Sequence, residues 1–177
     1  MILPIYTIGA RVLKRKTKKV ALDHEGLDSL IENMWETLYH AQGVGLAAPQ
    51  IGQSLRIFVV DTTQLAEEGK PKGIKSVFIN PEMLDEHGSP WTYKEGCLSI
   101  PGVWGDVERL SQIKLRYMDQ DFMEHVQSFS GIDARVIQHE YDHLEGILFT
   151  ELLKSGKKKK EIELEEYVEK KRKETGF

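Results

Sequence analysis

The chain has a single cysteine, Cys97. It cannot close an internal disulfide, so the fold does not rely on oxidative cross-linking, which suits a reducing compartment. Long apolar runs are also missing. Nothing approaches the ~20 consecutive apolar residues that a bilayer-spanning helix requires, so no membrane partner is expected. The N-terminal residues are apolar (Met1 to Ile5) before they are basic (Arg11 to Lys19). A secretory leader has the opposite order and a longer apolar stretch, and a cytoplasmic location is expected. Excess positive charge is lacking too. Lys and Arg number 24 against 28 Asp and Glu, for a net charge of -4. That balance excludes a general attraction to nucleic acid, and no DNA partner is expected, although a local basic patch stays open.

What is present fits one globular domain. The 177 residues suffice for one substantial core. Apolar residues make up 40% and charged residues 29%, an ordinary soluble composition. Residues 1–23 have little periodicity. Over 24–42, Leu27, Leu30, Ile31, Met34 and Leu38 recur at helical spacing. Asp23 is the expected N-cap, and Gly43 the left-handed residue that ends the helix. Gly43 to Gln50 is too interrupted for a simple helix or strand. Strands are expected at Leu55–Asp61, at Ser76–Asn80 with Pro81 stopping it, and within 87–100. A further strand contains the alternating Ile113, Leu115 and Tyr117. A turn at Asp119–Asp121 leads to a return strand at Glu124–Ser128. A second helix is expected over 132–145, opened by Gly131 and closed by Gly146. Beyond Leu153 the chain turns to Lys, Glu and Gly, with a thin apolar stripe of Ile162, Leu164, Tyr167 and Val168. The order helix, strands, helix, tail predicts an α+β fold. Its strands are mostly antiparallel around the second helix, and a charged C-terminal tail follows.

That second helix carries the chemistry. His139 and His143 are four residues apart and share a face, so their imidazoles can bind one metal ion. Glu140 stands at the edge of the same site, where a carboxylate can take a proton from an activated water. This is the His-Glu-x-x-His pattern of metal hydrolases. Two histidines on a helix can also be a surface or core pair, and Glu140 a solvated charge. The pair needs a third ligand. No histidine follows His143, and Glu163, Glu165 and Glu166 sit in a solvated, lysine-rich segment. Cys97 lies upstream in a glycine-containing stretch. A thiolate with two imidazoles leaves a fourth position open, whereas a lone cysteine is more often a small buried hydrophobe.

Three segments together resemble the motifs of bacterial peptide deformylases, in the family's order. They are Gly43-Val44-Gly45-Leu46-Ala47-Ala48-Pro49-Gln50, Glu95-Gly96-Cys97-Leu98-Ser99, and Gln138 to Gly146 with His139-Glu140-Tyr141-Asp142-His143 inside it. The likeness runs from about Leu3 to Leu153. It implies a catalytic domain at 1–153 and a charged, helix-compatible tail at 154–177. It implies removal of the N-formyl group from formyl-methionine at the start of newly made polypeptides, with release of formate. It implies one divalent metal, Fe2+ natively, with Zn2+, Ni2+ or Co2+ as substitutes. Cys97, His139 and His143 would be its ligands and Glu140 the acid–base group. The Gln50 amide and the Leu98 backbone N–H would meet the oxyanion. Gly43 and Gly45 would admit the substrate backbone as an added strand, although turn geometry alone also suits them. Val44 and Val136 would line the methionine pocket, or simply pack in the core. Asp142 is expected in a structural ion pair with Arg109. Trp104 stands where enterobacterial members carry Arg, on a gapless alignment from Cys97, so a charged contact to substrate is not expected there. The basic run Lys157–Lys160 is a candidate ribosome contact. Two other readings share part of this pattern: a His-Glu-x-x-His metalloprotease, which has no use for Cys97, and a non-catalytic metal- or peptide-binding relative.

Overall fold

A computed structural model of the chain describes residues 1–153, 165–170 and 173. Helix α1 spans Leu27–His40 and buries Leu27, Ile31, Met34 and Leu38 along one face. Its ends differ from the expected caps. Gly26, at φ 75°, precedes the helix, and no side chain caps it, so Asp23 is not the cap. At the other end Gln42 takes the left-handed conformation (φ 56°). The Gly43 N–H then bonds to the Leu38 carbonyl at 3.0 Å. Gly43 is needed for space instead: a Cβ there would meet the Leu98 side chain at 2.8 Å and Leu38 at 2.9 Å.

Five strands form one antiparallel sheet in chain order: β1 (Gly45–Ala47), β2 (Ile57–Asp61), β3 (Lys75–Cys97), β4 (Ile100–Met118) and β5 (Glu124–Ser130). Pro81 does not end a strand. The two strands expected at 76–80 and 87–100 are one, β3, with register shifts between Ile79 and Glu82, Met83 and Asp85, and His87 and Pro90. Asn80 there adopts φ 50°. A residue without an N–H is tolerated at such an irregularity, where the ladder is already broken. The Asn80 side chain turns outward from the ladder and bonds both backbone groups of Val20, at 2.7 and 2.9 Å.

Alternation along the strands divides the core between two helices. Ile57, Val59, Val77 and Ile79 pack with α1. Phe58, Val60 and Phe78 face the other way, with Ile113, Leu115 and Tyr117, against helix α2 (Gly131–Leu144). Phe78 anchors that layer, its ring 4.9 Å from Phe58 and 4.6 Å from Tyr117. Gly146 (φ 75°) does close α2, and a Cβ there would lie 2.7 Å from the Lys14 carbonyl oxygen. A third cluster joins Ile8 and Leu13 of the N-terminal arm to Ile100, Phe149 and Val168. Val168 belongs to the helical residues 165–170 and is buried. Lys157–Lys160 lie outside the described residues. No helix among those described is long and apolar enough to cross a membrane.

Candidate metal centre

Two elements meet at the site. The β3–β4 hairpin ends at Cys97, with Leu98 and Ser99 forming its two-residue connection to Ile100. Helix α2 presents His139 and His143 from successive turns of its buried face. The ligand atoms of Cys97, His139 and His143 lie within 4.8 Å of one another. Cys97 Sγ is 3.3 Å from His143 Nε2, and the two imidazole rings are 5.1 Å apart, edge to face.

The donor set fits a divalent ion. A thiolate and two imidazoles make a three-ligand site with one position to spare. His139 Nδ1 bonds to Glu95 Oε1 at 2.9 Å, which leaves Nε2 for coordination. Burial lowers the His139 pKa, but the bonds to Cys97 and Glu95 outweigh it and hold the value well above that of an ordinary histidine. Burial and the charge on His139 push His143 well below. Glu140 Oε2 is buried and has no hydrogen-bond partner among the described residues. Burial raises the Glu140 carboxyl to about 7.

Gly45 makes room for that carboxyl. A Cβ on Gly45 would meet Glu140 Oε1 at 2.6 Å. Gln50 is buried beside the cysteine. Its Oε1 accepts from the Ala47 N–H at 2.9 Å, which fixes the amide's orientation. Its Nε2 donates to Ser99 Oγ at 3.1 Å and faces Cys97 Sγ at 3.6 Å. Leu98 packs half-buried against the α1 side of the core. Val44 and Val136 pack in the α2-side cluster. Trp104 is 67% exposed, and its ring lies where a Cβ on Gly96 would fall, at 2.5 Å.

Behind the ligands stands a buried charge cluster that sequence reasoning did not assign. Glu95 accepts four hydrogen bonds. His139 Nδ1 and Arg109 Nη2 reach Oε1, and Arg109 Nε and Arg135 Nη1 reach Oε2, all at 2.7–3.0 Å. Burial alone would raise its pKa, but these partners bring it down to about 2. Arg109 also donates to Asp142 at 2.7 Å, the ion pair expected from sequence. Arg135 is 1% exposed and donates further to the carbonyls of Val107 and Trp91, with its guanidinium 4.5 Å from the Trp91 ring. The signals were present. Glu95 lies two residues before Cys97, on the same strand face, and Arg135 lies four before His139, on the same helix face.

Comparisons with known proteins agree with one another. A family model described as polypeptide deformylase matches residues 2–159. The peptide deformylase of Christiangramia forsetii is 48% identical over 167 residues, covering 90% of this chain and 85% of that protein. A crystal structure of a Synechococcus elongatus peptide deformylase in complex with actinonin superposes with a TM-score of 0.80 at 38% identity, covering 96% of this chain and 87% of that one. The Ehrlichia chaffeensis peptide deformylase, also in complex with actinonin, gives 0.86 at 34% identity over 96% and 97%. With the family matched across most of its length and the three motif segments gathered at one site, the chain belongs to the polypeptide deformylases.

Proposed function

We propose that this chain hydrolyses the N-formyl group of formyl-methionine at the start of newly made polypeptides, giving formate and a free amine in the cytoplasm. The carrying observation is the convergence of Cys97, His139 and His143 beside the Glu140 carboxyl. These three side chains would hold Fe2+, with Zn2+, Ni2+ or Co2+ able to replace it. When bound, the ion supplies Lewis acidity, making water a nucleophile near neutral pH and polarising the formyl oxygen.

The remaining steps fall to the chain's own groups. Glu140 takes the proton of the attacking water and returns it to the leaving nitrogen, so one carboxyl serves both halves of the reaction. Gln50 Nε2 and the Leu98 N–H donate to the oxyanion. The fixed orientation of the Gln50 amide supports this role, because a preorganised donor needs no rearrangement as charge develops. Gly43, Val44 and Gly45 receive the peptide backbone as an added strand beside β1, and Val44 and Val136 border the methionine side chain. Residues 1–153 carry this activity, and the basic run Lys157–Lys160 is the candidate ribosome contact.

Formate release from formyl-Met-Ala tests the reading. The metal-loaded chain should release formate and leave the Met-Ala bond intact. Cys97→Ser should lower bound metal and activity together. Cleavage of internal peptide bonds, with Cys97→Ser fully metallated, would favour a protease instead.

A further inference from the structure

Six of the 24 basic residues fall within nine positions, Arg11 to Lys19, and no acidic residue interrupts them. In a chain of net charge -4 this is a strong local reversal of sign. The segment is held firmly. Thr17 N and Oγ1 both donate to the Leu144 carbonyl at the end of α2, at 2.9 and 3.0 Å. The Lys18 N–H donates to the Ser54 carbonyl at 3.0 Å, and the Lys18 carbonyl accepts from Arg56 N at 2.7 Å. Val20 is clasped by Asn80. Leu13, Thr17 and Val20 point inward and are buried, while all six cations are exposed.

Two of the six have structural partners: Lys14 pairs with Glu151 and Lys16 with Glu145, each at 3.2 Å. Arg11, Arg15, Lys18 and Lys19 have no side-chain partner among the described residues. The backbone is pinned at Thr17, Lys18 and Val20, so binding an anion there would mainly order side chains. We propose that this strip docks on the phosphate backbone of a folded RNA. The choice of RNA rests on the deformylase reading, since a substrate that is the start of a growing polypeptide is presented beside RNA. A lipid surface fits less well. The apolar residues of the strip are buried or half-buried, Leu22 beyond it is a single exposed side chain, and membrane-surface segments need an apolar face to insert.

The test uses the metal-loaded full chain and a fluorescein-labelled RNA hairpin, followed by anisotropy at increasing salt. Four free cations should give a slope of log K against log salt of about -3 to -4. The variant R15S/K18S/K19S should bind at least about tenfold more weakly at low salt, with a slope shallower by roughly 3. The control K70S/K72S/K114S, which removes equal charge elsewhere, should bind like the parent. Formate release from formyl-Met-Ala should be the same in all three proteins, which separates this proposal from the catalytic one. Equal loss in the control, salt-independent binding, or attachment to phosphatidylcholine vesicles containing phosphatidylglycerol without RNA binding would each overturn it.

Discussion

Replacing Gly45 with alanine adds one methyl group at a crowded point of the site, against Glu140. Gly45 is not among the residues at positive φ, so alanine introduces no backbone strain. Glycine-to-alanine changes at such positions tend to stabilise, by about 0.4–1 kcal/mol, through the unfolded chain. The added Cβ would lie 2.6 Å from Glu140 Oε1, 2.8 Å from its Cγ and 2.9 Å from its Cδ, where ordinary contact begins at 3.4 Å. The carboxyl must therefore withdraw by about 0.8 Å, and a misplacement of about 1 Å can cost roughly 100-fold in rate. Gly45→Ala should thus keep its metal and its thermal stability within about 1 kcal/mol, while kcat for formate release falls on the order of 100-fold. Metal content, a urea titration and steady-state kinetics on one preparation separate these quantities. A kcat within threefold of the parent would refute the argument. So would a large loss of stability, because the backbone rather than Glu140 would then be what Gly45 protects.

Glu140→Ala should leave metal content unchanged while turnover drops by about 10²–10⁴-fold, the range for losing a positioned acid–base group; metal analysis alongside the formate assay checks both. Arg135→Met strands the fully buried Glu95 cluster. It should destabilise the fold by about 3–5 kcal/mol and weaken metal affinity about 10–100-fold, read by chelator competition. Arg135→Lys should recover part of both. Asp61 gives a pH signature. Burial raises its carboxyl pKa, but hydrogen bonds from Thr63 and Tyr39 bring it below the ordinary value of 3.8. A depressed pKa contributes stability that is fully present above 3.8 and is lost as pH falls through the lower folded value. Asp61→Asn should remove that part of the acid dependence, measured as urea midpoints across the acid range.

Elements whose signal is local were legible in the sequence. The apolar stripe of α1, the alternation of Ile113, Leu115 and Tyr117, and the His139/His143 pair on α2 all follow from short-range spacing. Pro81 misled because a proline ends a regular strand, and sequence does not show that the ladder is already irregular there, with Asn80 at positive φ. Asp23 misled because a good capping residue is not a cap unless the helix starts beside it. The link between Cys97 and α2 is long-range, so residue chemistry could offer Cys97 as the missing third ligand, but no spacing rule joined it to the helix and the resemblance did. Glu95 and Arg135 each lie at a same-face spacing from a ligand, yet their meeting depends on how the hairpin folds over the helix. The role of Gly45 was the least accessible, since it is a distance between one element's backbone and another's side chain.

The hairpin tip has a consequence beyond chemistry. An ion shared by Cys97 and α2 would be a removable cross-link between chain positions roughly forty residues apart, comparable in reach to a disulfide. Unlike a disulfide, it forms without oxidation and yields to a chelator. By mass action, whatever concentration of metal sustains catalysis also shifts the balance from unfolded to folded chain. The metal supply would then set how long the protein survives as well as how fast it works, and a chain stripped of metal would be the first exposed to proteolysis.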